Sequence, residues 1–190
     1  RHVLAGAILY PIDRAREVIA LYGDEAPRAP EELQVDLLML RPPSGVGDPP
    51  LTGFQVCWSG PPAGADRALA PFRRLGTPMV DAVQGVDYVA LQRSGDTDDP
   101  RAMGVYTKSG FVSEFPPELV RALVEPFEPH PTRTTILAAQ LSGGAINRVP
   151  ADATAFPQRD GLANVLCFVN WRHGDDPSEH VRRIQQHRSG

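Results

Sequence analysis

Proline and glycine constrain this chain more than any motif does. Twenty prolines and 17 glycines stand among 190 residues. Proline removes a backbone donor and glycine loosens φ, so this density cuts a chain into short elements joined by many turns. A coiled coil is excluded. Disorder is excluded as well, because 42% of the residues are hydrophobic and only 22% charged, the balance of an ordinary globular protein. The length suits one domain spanning 1–190, since domains run to roughly 100–200 residues.

Between the breakers the apolar pattern predicts six strands and four helices. Val3–Tyr10 reads as a buried strand stopped by Pro11. Ala15, Val18, Ile19 and Tyr22 recur at helical spacing, with Asp13 as a cap and Gly23 as the closing residue. Leu33–Leu40 and Thr52–Ser59 form a hairpin around the loop of residues 41–50. A helix follows at Ala65–Phe72, and residues 76–92 look irregular apart from one helical turn near Tyr88. Val105–Phe115 is a strand, Pro116 and Pro117 open a helix with Leu119, Val120, Leu123 and Val124 on one face, and Thr134–Leu141 and Leu162–Trp171 are the last strands. Ser178–His187 is a polar closing helix. Strand, helix, hairpin, helix is not the alternation of a doubly wound parallel sheet. The fold class expected is α+β, a largely antiparallel sheet with helices mainly on one face.

Charge and motifs narrow the function by exclusion. With 19 basic and 23 acidic residues the formal charge is −4, and no basic run marks a nucleic-acid partner. No apolar stretch of about 18 residues is present to span a bilayer, and the two cysteines, Cys57 and Cys167, suit a reducing, cytoplasmic setting better than a disulfide framework. His173, His180 and His187 recur every seventh residue, which on a helix separates them by about 10 Å. One zinc needs its ligands about 2 Å away, so no metal is expected there. Gly143 and Gly144 lack the lysine and hydroxyl of a phosphate loop and read as a turn or bulge. Cys57 and Cys167 sit in apolar strands, where thiols are usually inert, and Asp96, Asp98 and Asp99 form a solvated loop rather than a calcium site.

Alternation along Ile136–Ser142 puts Leu137, Ala139 and Leu141 on one face and Ala138, Gln140 and Ser142 on the other. Helices are expected over the first face. The second meets either water or a ligand, and periodicity alone leaves that open.

The segment Gln140–Trp171, QLSGGAINRVPADATAFPQRDGLANVLCFVNW, resembles the GGA..RV..D.TAFPHR stretch of bacterial FAD-linked oxidases related to berberine bridge enzyme. The same family shows, in the same order, GAILYPIDRAREVI at Gly6–Ile19, CWSG at Cys57–Gly60, APFRRLGTPMVD at Ala70–Asp81 and YTKSGFV at Tyr106–Val112. In that family an FAD-binding domain holds the cofactor, and an α+β substrate domain roofs the flavin ring. The resemblance covers the roof alone. It implies a substrate-binding domain of an FAD-dependent oxidoreductase, excised from a longer chain, as the start at Arg1 also suggests. It further implies FAD in the full-length protein but none bound to this fragment, which would be inactive alone. The partners implied are a small-molecule substrate and the FAD-binding domain of the same chain. The flavin would take a hydride from an alcohol, amine or sugar carbon. Gln158 stands where the family has histidine, so that histidine's role does not transfer, because an amide cannot titrate near neutral pH. A free-standing α+β ligand-binding module without cofactor is the competing reading. If the family's geometry holds, Gln140, Tyr106 and Lys108 lie together on the helix-free face and contact substrate.

Overall fold

Alternating apolar residues fold the chain around a single antiparallel sheet. The structure, a computed structural model, describes residues 2–40, 49–96, 103–124 and 134–172, with 174, 176, 178, 181, 182 and 185 beyond them. Eight strands are seen there: β1 (His2–Pro11), β2 (Leu33–Leu40), β3 (Leu51–Trp58), β4 (Val80–Asp81), β5 (Gln84–Asp87), β6 (Met103–Val112), β7 (Thr134–Leu141) and β8 (Ala163–Arg172). Four helices join them: α1 (Ala15–Glu25), α2 (Ala65–Leu69), α3 (Tyr88–Arg93) and α4 (Pro117–Val124). The strand order is β4-β1-β3-β2-β7-β8-β6, with β5 also on the outer edge of β1. Every pairing is antiparallel. The α+β class is as the sequence predicts.

Helix α1 shows how the core is closed. Its buried residues include Ala15, Val18, Ile19 and Tyr22, the stripe the spacing predicts, and they pack on the middle of the sheet. The Tyr22 hydroxyl donates to the Ala139 carbonyl at 3.0 Å, tying the helix to β7. The Phe115 ring meets Tyr22 edge-on at 5.6 Å. On β1 the buried Tyr10 hydroxyl donates to the Phe72 carbonyl at 3.0 Å, and Phe72 meets the Phe54 ring at 5.1 Å. Thus α1, α2 and the segment after α2 lie on one face. At the head of α3, Tyr88 borders a cleft with Val3, Gln34 and Cys57 of the opposite face, so one corner of that face is covered.

Some boundaries differ from expectation for identifiable reasons. Helix α1 runs past Gly23 and stops only before the 3-10 turn that holds Pro27, because the apolar stripe continues and a mid-helix glycine costs only about 1 kcal/mol. Asp13 forms no cap bond; residues 12–14 make a 3-10 turn instead. The stretch read as irregular holds β4 and β5, and the helical turn expected near Tyr88 is α3. Its strands are two and four residues long, too short and polar to show a period, and Asp87 caps α3 by accepting the Val89 and Ala90 N–H groups at 2.9 and 3.2 Å. The loop of residues 41–48 and most of the expected closing helix at 178–187, with all three heptad-spaced histidines, lie outside the described residues. Gly53 marks a close approach of β1 and β3, where a Cβ would fall 2.0 Å from the Ile8 carbonyl oxygen.

Candidate functional site

Directly opposed residues of neighbouring strands project to the same face, so register assigns every side chain to one side of the sheet. Ile8, Phe54, Leu37 and Ala139 form one row across β1, β3, β2 and β7, all fully buried under the helices. One residue along each strand the row becomes Ala7, Gln55, Asp36, Gln140, Asn164 and Phe111, crossing six strands on the opposite, open face. A polar strip thus crosses the middle of the sheet. The next row on that face is largely apolar: Leu9, Gly53, Leu38, Ala138, Leu166 and Ser109.

Asp36 is the centre of the strip. Its Oδ1 accepts from Gln34 Nε2 at 2.7 Å and from the Leu141 N–H at 3.1 Å. Among the described residues no donor reaches Oδ2, and no cation pairs with the carboxylate. Burial pushes the Asp36 carboxyl above the usual carboxylate range, against the pull of Gln34 and Leu141. Gln55 and Gln140 flank it and are exposed. Beyond Gln140, Asn164 holds a buried Oδ1 that accepts no hydrogen bond among the described residues, and Asn170 on the same face of β8 does likewise.

The strip ends at an aromatic pair. Phe111 meets Phe156 edge-on at 5.5 Å, and both rings remain partly exposed, at 38% and 37%. Arg159 holds this arrangement: its guanidinium lies 4.8 Å over the Phe156 ring and donates to Thr154 Oγ1 at 2.6 Å and the Ile146 carbonyl at 3.1 Å. The segment between β7 and β8, which carried the resemblance, thereby packs an aromatic ring at one end of the polar strip. Gln158 within it is exposed. Gly143 and Gly144 lead into turns, Gly144 with φ +54°, as the turn reading requires.

Of the three expected substrate contacts, Gln140 lies on the open face, between Asp36 and Asn164. Tyr106 and Lys108 do not join it. They oppose Val169 and Cys167 on β8, and Cys167 in turn opposes Leu137, which places both on the helix-bearing side. The correction has a simple cause: alternation fixes the faces within one strand, whereas the phase between strands is set by register. Sequence reasoning also missed Asp36 and Asn164. A lone carboxylate inside LQVDLLML, two residues after Gln34, was the available signal.

Among the described residues no group of His, Cys, Asp or Glu could hold a metal ion, and no helix is long and apolar enough to cross a membrane. No family model and no curated protein matches the sequence. Solved structures do match. Aclacinomycin oxidoreductase superposes with a TM-score of 0.77 at 16% identity, over 98% of this chain and 40% of its own. The chain shares its fold with berberine bridge enzyme. A variant of that enzyme in complex with (S)-reticuline superposes with a TM-score of 0.73 at 18% identity, over 97% of this chain and 39% of its own. Xylooligosaccharide oxidase from Myceliophthora thermophila C1, in complex with xylobiose, gives 0.71 at 20% identity, over 98% and 42%. The berberine bridge enzyme fold is therefore present in part, as a unit spanning about two-fifths of each of these longer chains.

Proposed function

We propose that this chain is the substrate-binding domain of an FAD-dependent oxidoreductase. In this reading another domain of the same protein holds FAD, the open face of the sheet lies over the flavin ring, and a small-molecule substrate sits between them. The observation that carries the reading is the polar strip: a sheet covered by helices on one side presents four hydrogen-bonding side chains and an aromatic pair on the other. These residues suit the substrate side of a flavin site. Nothing in them suits a pyrophosphate, since the Gly143–Gly144 turn leads into further turns and not into a helix N-terminus.

FAD, when bound, supplies the hydride-accepting chemistry. The residues of this chain bind and orient. Gln55 and Gln140 can each donate and accept, Asp36 Oδ2 accepts, and the apolar row beside them excludes water from one flank of the ligand. Fixing a substrate carbon against a flat ring in this way lowers the entropic part of the barrier.

The test is made in the full-length protein. Gln140→Ala lowers kcat/KM by about tenfold, the loss of one well-placed hydrogen bond, and leaves flavin content unchanged. Lys108→Met, on the other face, leaves both unchanged. A full-length protein that binds no FAD ends the proposal, and so does a Gln140→Ala enzyme with undiminished kcat/KM. The 190-residue chain alone is expected to be colourless after desalting.

A further inference from the structure

Resting on the proposal above, we infer that Arg159 is a positioning residue: it holds Phe156 in place as the wall that closes one end of the strip, and the connection between β7 and β8 is built around it. That connection is long and contains no helix or strand. Its two ends are pinned, the Ser142 N–H donating to the Leu162 carbonyl and the Leu162 N–H to the Val112 carbonyl, each at 2.8 Å. Between them residues 145–160 are mostly exposed, so burial does little to hold them. A connection of this length is usually either functional or disordered. This one is tied from within.

Arg159 is the tie. Its Nη1 donates to the Ile146 carbonyl on the first limb at 3.1 Å, its Nη2 donates to Thr154 Oγ1 on the second at 2.6 Å, and its guanidinium carbon stands 4.8 Å from the centre of the Phe156 ring. Thr154 passes the grip on, because its Oγ1 also accepts the Phe156 N–H at 3.3 Å. One side chain thus holds Phe156 by its ring and, through Thr154, by its backbone. The other ties of the segment, the Arg148 ion pair with Glu31 and the Asn147 amide on the Gly161 carbonyl, do not reach residues 150–158. Arginine suits the task, since its rigid fork aims two donors while its flat face covers a ring, which a lysine ammonium cannot do. All three partners are neutral, so no counter-ion dilutes the attraction between cation and ring. Its Nε–H is buried with no acceptor among the described residues. An arginine that served only to keep the loop soluble would leave that donor in water.

Held in this way, Phe156 meets Phe111 at 5.5 Å, next to Asn164 at the end of the strip, and both rings keep more than a third of their surface open to a ligand. Freed from Arg159, the second limb would carry the ring through many positions. Only the molecules with the wall in place would then bind at full strength.

The experiment titrates the full-length protein with benzyl alcohol by ligand-observed NMR, under nitrogen with its flavin kept reduced so that no turnover occurs. The probe carries one ring for the wall and one hydroxyl for the strip. Phe156→Ala and Arg159→Met should each weaken binding about fivefold, the first by removing a ring contact and the second by leaving the wall in place in a minority of molecules. The double variant should lose no more than Phe156→Ala alone, because Arg159 acts through the ring. Thr154→Val keeps the cation and cuts its link to the Phe156 backbone, and should weaken binding as well. Arg159→Lys returns a charge to the ring and should recover part of the affinity lost in Arg159→Met. An Arg159→Met loss as large without Phe156 as with it overturns the inference, since a direct contact or a damaged fold would act in both backgrounds. Undiminished binding by Arg159→Met overturns it too. If the protein carries FAD but does not bind the probe, the wall is wrong and the flavin-domain reading stands. If it carries no FAD, both fall together.

Discussion

The two faces of the sheet are built on the same strands and differ by one residue of register. Ile8, Phe54, Leu37 and Ala139 are entirely buried, whereas their neighbours Ala7, Gln55, Asp36 and Gln140 carry three polar side chains on the open side. The backbone ladder is common to both rows. What differs is the partner: one face meets α1 and the segment after α2, and the other leaves two amides exposed beside a half-buried carboxylate. On the proposed reading, stability and recognition fall to alternate residues of the same strands, and adjacent positions should separate them. Phe54→Ala removes a buried ring that packs on Phe72 and should destabilise the fold by about 3–5 kcal/mol. Gln55→Ala, one residue on, should stay within about 0.5 kcal/mol. Urea unfolding of the two variants checks this, and comparable losses would show that the open face also holds the fold together.

A smaller effect tests whether the faces are coupled through the strands. Tyr22 reaches from α1 to the Ala139 carbonyl, directly before Gln140 in the chain. Burial, with the nearby Asp36 charge adding to it, pushes the Tyr22 hydroxyl well above its ordinary value, so it stays protonated and donates. Tyr22→Phe keeps the ring against Phe115 and removes that bond, at a cost of about 1 kcal/mol in urea unfolding. In the full-length protein the same variant should leave kcat/KM within about twofold, because a bond on the dry side is not a contact on the wet one. A much larger fall in kcat/KM would mean that Tyr22 sets the position of Gln140.

Which parts of this division were legible beforehand follows from the range of each signal. Period two within Thr134–Leu141 gave the strand its observed ends and separated Leu137 and Ala139 from Gln140. That signal is local. The polar strip is not, because Gln55, Asp36, Gln140 and Asn164 come from four strands, and only hydrogen-bond register aligns them. The same gap misplaced Tyr106 and Lys108: their alternation was right within β6 and its phase against β8 was unknown. Asp36 was hidden by its surroundings. Half-buried leucines share the open side of β2 with it, so the later half of the strand shows no polar alternation to point at it. The resemblance supplied what periodicity lacked, the fold, together with the role proposed for the open face. It did not supply the register that picks out particular residues.

The smallest expected effect distinguishes the faces by pH. The Asp36 carboxyl is raised by burial, so its ionised form burdens the folded state at neutral pH; that burden fades as pH falls through the folded-state value and is gone below the unfolded one. Asp81, on the edge strand β4, is the opposite case. The Arg73 guanidinium, 2.7 Å away, holds it below the usual carboxylate range, so its contribution is present above the unfolded-state value and is lost as pH falls through the folded one. Asp36→Asn should therefore raise stability slightly at neutral pH, and Asp81→Asn should lower it slightly, the latter by no more than about 1 kcal/mol because the pair is partly solvated. Both differences should shrink toward zero in acid, from opposite signs. Thermal melts of the two variants and the natural sequence between neutral pH and the acid limit of folding give the comparison. If Asp36→Asn is destabilising at neutral pH, the carboxylate is holding the sheet together through Gln34 and Leu141, and its place on the open face is structural before it is functional.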